Sequence, residues 1–201
     1  LNDLVHSCAS ELREYAIKFQ DKKIEDLTKF VSTYKTSQYL DDALYELGNT
    51  YTAEEMNDKA ISTFDNLINN NKNSAYVAKS ILKQGLIYYN TDKDDAAITK
   101  FKKVVAEFPN SPESLEAVAT AKSIYKANGK VGEYAAWVKT LSFVEVTDAE
   151  LDNDMYESAE KQYLNNSPKK AIEGFTSYLA QFPNGLHALK VHFYLAQLYF
   201  A

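Results

Sequence analysis

A chain of 201 residues holds one domain or one array of small units, and is too short for several large domains. Its 45% hydrophobic and 25% charged residues place it among chains that fold, and a total of 6 Gly and 4 Pro excludes a turn-dense sandwich or barrel in favour of helix. With 22 basic against 28 acidic residues the net charge is −6, which repels a phosphate backbone and disfavours nucleic acid as a partner.

Residues 2–19 open with Val5, Cys8, Ala9 and Leu12 at helical spacing, and charges stand where a secretory segment would be apolar, so a helix is predicted there. Cys8 is the single cysteine; it forms no internal disulfide and suits a small core position. A second helix is predicted over 22–35. Leu40, Leu44, Leu47 and Tyr51 then predict a helix over 38–54, and after a polar break at 54–58 Ile61, Phe64, Leu67 and Ile68 predict one over 57–70. The scheme recurs with Val77, Ile81 and Tyr88 over 75–90, a break at 90–95, and Ile98, Phe101, Val104 and Val105 over 94–107. Pro109 ends that helix, and Ser111 followed by Pro112 opens the next, over 112–128, with a capping oxygen and a proline at its first position. Further helices are predicted over 131–143 and 149–165. Ser167 and Pro168 repeat the cap-and-proline pair before 168–181, Pro183 stops that helix, and a last one covers 186–201. No apolar run reaches the roughly 18 residues of a membrane span.

The elements repeat with a period of 37. Ala-Ile-x-x-Phe occurs at Ala60-Ile61-Phe64, Ala97-Ile98-Phe101 and Ala171-Ile172-Phe175. Tyr51, Tyr88, Tyr125 and Tyr199 follow the same step, as do Gly48 with Gly85, and Tyr34, Phe108 and Phe182 at twice the step. A further column is Ser37, Ser74, Ser111, Asp148 and Gly185, all N-cap residue types, and each is expected to open a helix. The unit is a helix A and a helix B in antiparallel, about five times over with one extra helix A. One pair cannot bury both of its faces, so stability must come from stacking neighbours.

Leu44, Leu47, Gly48, Tyr51, Ala60 and Phe64 in the second unit, and Gly85, Tyr88, Ala97, Phe101 and Pro109 in the third, resemble the tetratricopeptide repeat; the fifth unit keeps Ala171, Phe175 and Pro183. Units one and four depart from the pattern, with Lys23 and Tyr134 in place of Ala, and Glu11 and Lys122 in place of the small residue. The resemblance implies an all-α, right-handed α-α superhelix covering residues 1–201 as one array, expected to be part of a longer repeat protein. It implies a non-catalytic scaffold without cofactor that binds a protein or peptide in a concave groove lined by A helices. The segment Tyr39 to Gly48 and the Phe-Pro-Asn-Ser-Pro connection also resemble bacterial cell-envelope repeat proteins of the outer-membrane assembly and Tol-Pal coordinator kind, which implies a periplasmic setting.

The family's groove positions fall on Tyr45, Asn49 and Thr52; on Lys79, Leu82, Leu86 and Tyr89; on Tyr156, Glu160 and Tyr163; and on Phe193, Gln197 and Phe200. The set is aromatic, the profile of a protein-binding surface, and the bland alternative is that its tyrosines pack between units. Capture of a C-terminal carboxylate is not expected, because Leu82 and Phe193 stand where that clamp has Lys, and Asn49 alone matches its Asn.

Asp152-Asn153-Asp154 is a poor calcium loop, with Glu157 at the Gly position and Tyr163 at the twelfth, and reads as a solvated helix start. His187 and His192 are five apart and off a common helix face, so no metal site is expected. No phosphate loop, nucleophile elbow or Cys/His cluster is present, which argues against an enzyme. Leu195, Leu198, Tyr199 and Phe200 have no following helix B, so that face is expected to meet more of the array or a second copy; a spacer or assembly role through the ends and convex side is the alternative to groove binding.

Overall fold

The computed structural model describes residues 2–200, with side chains from Lys18 onward. It contains ten helices and, among the described residues, no strand: α1 (Asn2–Thr33), α2 (Leu40–Ala53), α3 (Asn57–Asn70), α4 (Val77–Asn90), α5 (Asp94–Glu107), α6 (Pro112–Ala127), α7 (Val131–Val138), α8 (Asp148–Leu164), α9 (Pro168–Gln181) and α10 (Ala188–Phe200). The chain divides into two compact units, residues 1–103 and 104–201, with the boundary inside α5.

In the first unit Gly48 of α2 faces Phe64 of α3, and Gly85 of α4 faces Phe101 of α5. A Cβ at either glycine would lie 2.5 Å from the ring, so the two helices of each pair approach more closely than any side chain would allow. Phe64, Phe101, Leu44 and Ile81 are fully buried around these contacts, along with Ala60 and Ala97. In the second unit α8 and α9 pair through Ala159 and Gly174, over a core of Val131, Met155, Tyr156, Ala171, Phe175, Tyr178 and Val191. The departing fourth unit repacks rather than loosens. Val138, fully buried, stands in the phenylalanine column, Lys122 in the small column reaches Asp154 at 2.7 Å, and Tyr134 is buried against Tyr125, with ring centres 6.2 Å apart.

Three departures from expectation have local causes. The first two predicted helices are one continuous α1: residues 20–24 offer no Gly, Pro or Asn, and Lys22 pairs with Glu25 and Asp26 one turn on, at 3.3 and 3.0 Å, which favours continuing the helix. Helix α7 stops at Val138, before the predicted 143. Thr140, Val144, Val146 and Thr147 are β-branched, and the Thr140 hydroxyl donates to the Trp137 carbonyl at 2.6 Å.

The expected cap column is a helix cap at Ser111 alone, where the hydroxyl accepts from the Ser114 N–H at 3.1 Å. Ser37 and Ser74 instead sit in a tight turn before the helix, with Leu40 and Val77 N–H donating to their carbonyls at 3.1 and 3.2 Å, and Gly185 makes the same turn with Ala188 at 3.1 Å. At α8 the cap is Thr147, one residue earlier than Asp148, in a reciprocal pair with Glu150.

A backbone column accompanies the side-chain ones. Glu55, Asp92, Gly129 and Asn166, successive at 37, all have positive φ, between 54° and 76°. Each ends a helix A in the same way: the next residue's N–H reaches back five positions, as Met56 to Tyr51 at 2.9 Å, Lys93 to Tyr88 at 2.9 Å, Lys130 to Tyr125 at 2.8 Å and Ser167 to Gln162 at 3.0 Å. Glu55 and Asp92 hold this left-handed geometry at a cost that glycine avoids. Glu55→Gly and Asp92→Gly are therefore expected to stabilise the first unit by roughly 1 kcal/mol each, and Gly129→Ala to destabilise the second by a similar amount, measured by urea unfolding.

Candidate functional site

The predicted groove residues of the A helices α2 and α4 in the first unit, and of α8 and α10 in the second, divide between exposed, half-buried and buried positions. In the first unit Tyr45 of α2 is half-buried under Tyr76 of the α4 entry turn, the rings stacked at 4.5 Å, and the Tyr76 hydroxyl donates to Asp42 at 2.7 Å. Lys79 is exposed, its ammonium 5.7 Å from the Tyr76 ring centre. Asn49, Thr52 and Leu86 are half-buried, the Thr52 hydroxyl donating to the Gly48 carbonyl at 2.8 Å, and Tyr89 is exposed. Leu82 is 5% exposed and serves the core of its unit instead of an open surface.

In the second unit α8 and α10 are joined by a ladder of pairs 34 residues apart. His187 bonds Asn153 at 2.7 Å, the Tyr194 hydroxyl donates to Glu160 at 3.0 Å, and the Tyr163 hydroxyl donates to Gln197 at 3.1 Å. Glu160 also receives a short hydrogen bond from Tyr156, and Lys190 stands 3.6 Å from it and 5.2 Å from the Tyr156 ring centre. Burial pushes the Glu160 carboxyl up, but the two phenols and Lys190 outweigh it and hold the group below its usual value. Burial and then donation to Glu160 push the Tyr156 phenol up to about 12; donation to Glu160 and then burial do the same for Tyr194. Tyr156 itself is 4% exposed, stacked 4.0 Å from His187, so it supports the face from beneath. What remains open above it is Phe193, Gln197, Phe200 and part of Tyr163.

Two carboxylates escaped the sequence reading. Asp152 and Asp154 are buried, not solvated. Asp152 accepts the Tyr178 hydroxyl at 2.6 Å and the Leu186 N–H at 2.8 Å, and the Tyr178 oxygen in turn accepts the His187 N–H at 3.0 Å. Asp154 is bound by Lys122 at 2.7 Å and Lys126 at 2.8 Å; burial raises its carboxyl, and the two lysines more than reverse that. Tyr178 was the available clue: it stands in the column of Phe30, Leu67, Val104 and Leu141, where its hydroxyl is the one polar tip and demands a partner. Among the described residues no three His, Cys, Asp or Glu side chains converge to hold a metal ion, and no helix is long and apolar enough to cross a membrane.

The family model of the tetratricopeptide repeat matches residues 42–74 and 79–111, two segments offset by 37 that begin in α2 and α4. Residues 42–111 carry two tetratricopeptide repeats. A tetratricopeptide repeat protein from Parabacteroides merdae is similar in structure, with a TM-score of 0.51 and 15% identity over 95% of this chain and 72% of that one, which shows the shared all-α fold. MamA protein aligns over 85% of this chain and 87% of its own at 17% identity and a TM-score of 0.49. No curated protein sequence matches. Tetratricopeptide repeats generally mediate protein–protein interaction, and scaffolds of this family are generally non-catalytic.

Proposed function

We propose that this tetratricopeptide-repeat chain is a non-catalytic scaffold that holds a segment of a partner protein on the facing sides of its A helices. The observation that carries this reading is the α8–α10 face. There Glu160, Tyr163 and Gln197 are already fixed by hydrogen bonds between the helices, while Phe193 projects at 59% exposure beside them. A fixed polar base with a large apolar anchor loses little side-chain entropy on binding, which favours affinity for an extended peptide. Tyr89 and Lys79 on α4 offer the first unit's counterpart.

The test uses peptides selected by display on the intact chain, with affinities measured by calorimetry. Phe193→Ala together with Tyr163→Phe is expected to weaken peptides held by the second unit about tenfold, on the scale of an aromatic anchor, with helicity unchanged and melting lowered only by the loss of one exposed hydrogen bond. Unchanged affinity in a folded variant would reject the face. The resemblance of the Phe-Pro-Asn-Ser-Pro connection and of Tyr39 to Gly48 to cell-envelope repeat proteins supports a periplasmic setting, which fractionation of the native host would test.

A second reading, assembly through α10 and its entry turn, is favoured by their outward residues: Leu186 in the turn, and Leu189 and Phe200 in the helix, are 79%, 87% and 92% exposed. Sedimentation that stays monomeric at rising concentration removes self-association.

A further inference from the structure

A hollow of about 430 Å³ lies between α1 and α2 in the first unit, and none of its lining residues belongs to α8 or α10. Its floor is apolar: Leu27 and Phe30 of α1, with Ala43 of α2 and Tyr39 just before it. Leu27 and Tyr39 are one period before Phe64 and Tyr76. Those two residues grip helix α2, Phe64 against Gly48 and Tyr45, Tyr76 stacked on Tyr45. The hollow therefore repeats a cradle that, one unit later, holds a helix.

Its rim is acidic. Asp26, Asp42 and Glu46 surround the floor, and α2 as a whole carries Asp41, Asp42 and Glu46 with no Lys or Arg. Asp26 and Glu46 are held by Lys22 at 3.0 Å and Lys23 at 2.5 Å, exposed pairs that a competing cation exchanges at little cost, while Asp42 accepts from the neutral Tyr76 hydroxyl.

We propose that this hollow docks a basic amphipathic helix of a partner protein, its apolar face on Leu27, Phe30 and Tyr39 and its lysine or arginine heads on Asp26, Asp42 and Glu46. The chain's own residues 2–19 match the rim poorly, because Asp3, Glu11 and Glu14 outnumber Arg13 and Lys18. Exposed Tyr39 adds an aromatic face to which a cation is drawn.

The test is fluorescence anisotropy of the full chain with a labelled 18-residue leucine–lysine amphipathic peptide, and with the same peptide bearing glutamate for lysine. The basic peptide is expected to bind and the acidic one not. Asp42→Asn with Glu46→Gln should weaken binding about tenfold, and Tyr39→Ser should weaken it severalfold, whereas Glu54→Gln with Asp58→Asn, equal in charge but away from the hollow, should leave it within twofold.

Failure of the basic peptide to bind, or equal losses in both charge pairs, would overturn the proposal in favour of diffuse attraction to an acidic chain. Two other occupants would overturn it as well. One is the chain's own N-terminal half: a straight α1 separates Cys8 from Leu27 by about 28 Å, at 1.5 Å per residue, so labels on Cys8 and Glu46→Cys found much closer would place residues 2–19 in the hollow. The other is a second copy, shown by a dimer that Asp42→Asn with Glu46→Gln dissolves. Peptide affinities of Phe193→Ala remain unmoved here, so the two surfaces fail or succeed separately.

Discussion

Phe64→Ala is expected to destabilise the first unit by about 3–5 kcal/mol, because a fully buried ring is lost from a contact that cannot collapse to fill it. The reason lies in its partner. Gly48 has no Cβ, and the helices α2 and α3 have closed until the Phe64 ring occupies the space a Cβ would need. Gly48→Ala is therefore expected to cost about 1–3 kcal/mol by overpacking, even though alanine is favoured over glycine in a helix by roughly 1 kcal/mol. Combined with Phe64→Ala, the same substitution should turn neutral or stabilising, since the added methyl then enters the space the ring has left. A double-mutant cycle by urea unfolding, followed by circular dichroism, reads this coupling directly. Additive losses would mean that the small column is not there for close approach, and the account of why these units recur would fail with it.

The columns that pack were legible because packing at close approach admits few residue types. Gly48 and Gly85 against Phe64 and Phe101 can be read as a period in one sequence, and the limits of α3, α5 and α9 fell where the pattern placed them. The left-handed column was not legible, since Glu55, Asp92, Gly129 and Asn166 share a backbone angle and no side-chain chemistry. The serine column misled for the opposite reason: a residue that caps a helix and one that makes a turn just before it look alike by type, and only backbone geometry separates Ser111 from Ser37 and Ser74.

Groove positions inherited from the family placed Leu82 and Tyr156 at an open surface, whereas both are buried. The α8–α10 contacts fall at 34 rather than 37 because facing flanks of two parallel helices are about one turn out of step, a displacement that a period cannot display. Burial of Asp152 and Asp154 depends on Tyr178, Lys122 and Lys126, all more than 25 residues away along the chain.

Asp152→Ala is expected to cost the second unit about 3 kcal/mol. The carboxylate is buried, it receives two hydrogen bonds, and its removal leaves the Tyr178 hydroxyl and the Leu186 N–H without that acceptor in the interior. Asp152→Asn keeps an acceptor and should cost less; Tyr178→Phe added to Asp152→Ala should recover part of the loss, because it removes the orphaned donor as well. Gly185 belongs to the same unit of structure: a Cβ there would stand 2.4 Å from the Tyr178 oxygen and 2.6 Å from Asp152, so Gly185→Ala is expected to couple to both.

Alkali offers a second readout. Burial first, and then the bond to Asp152, push the Tyr178 phenol up to about 12, against about 10 in an unfolded chain. Its contribution to stability is therefore whole below pH 10 and is lost as pH rises from there toward 12, where the unfolded chain releases the proton that the folded one keeps. Without Asp152 the phenol should titrate lower and this alkaline loss should shrink, seen in the phenolate absorbance and in unfolding at pH 9 and 11. A variant with unchanged stability and an unchanged phenolate titration would show that the Asp152–Tyr178 bond does not hold α8, α9 and the entry to α10 together.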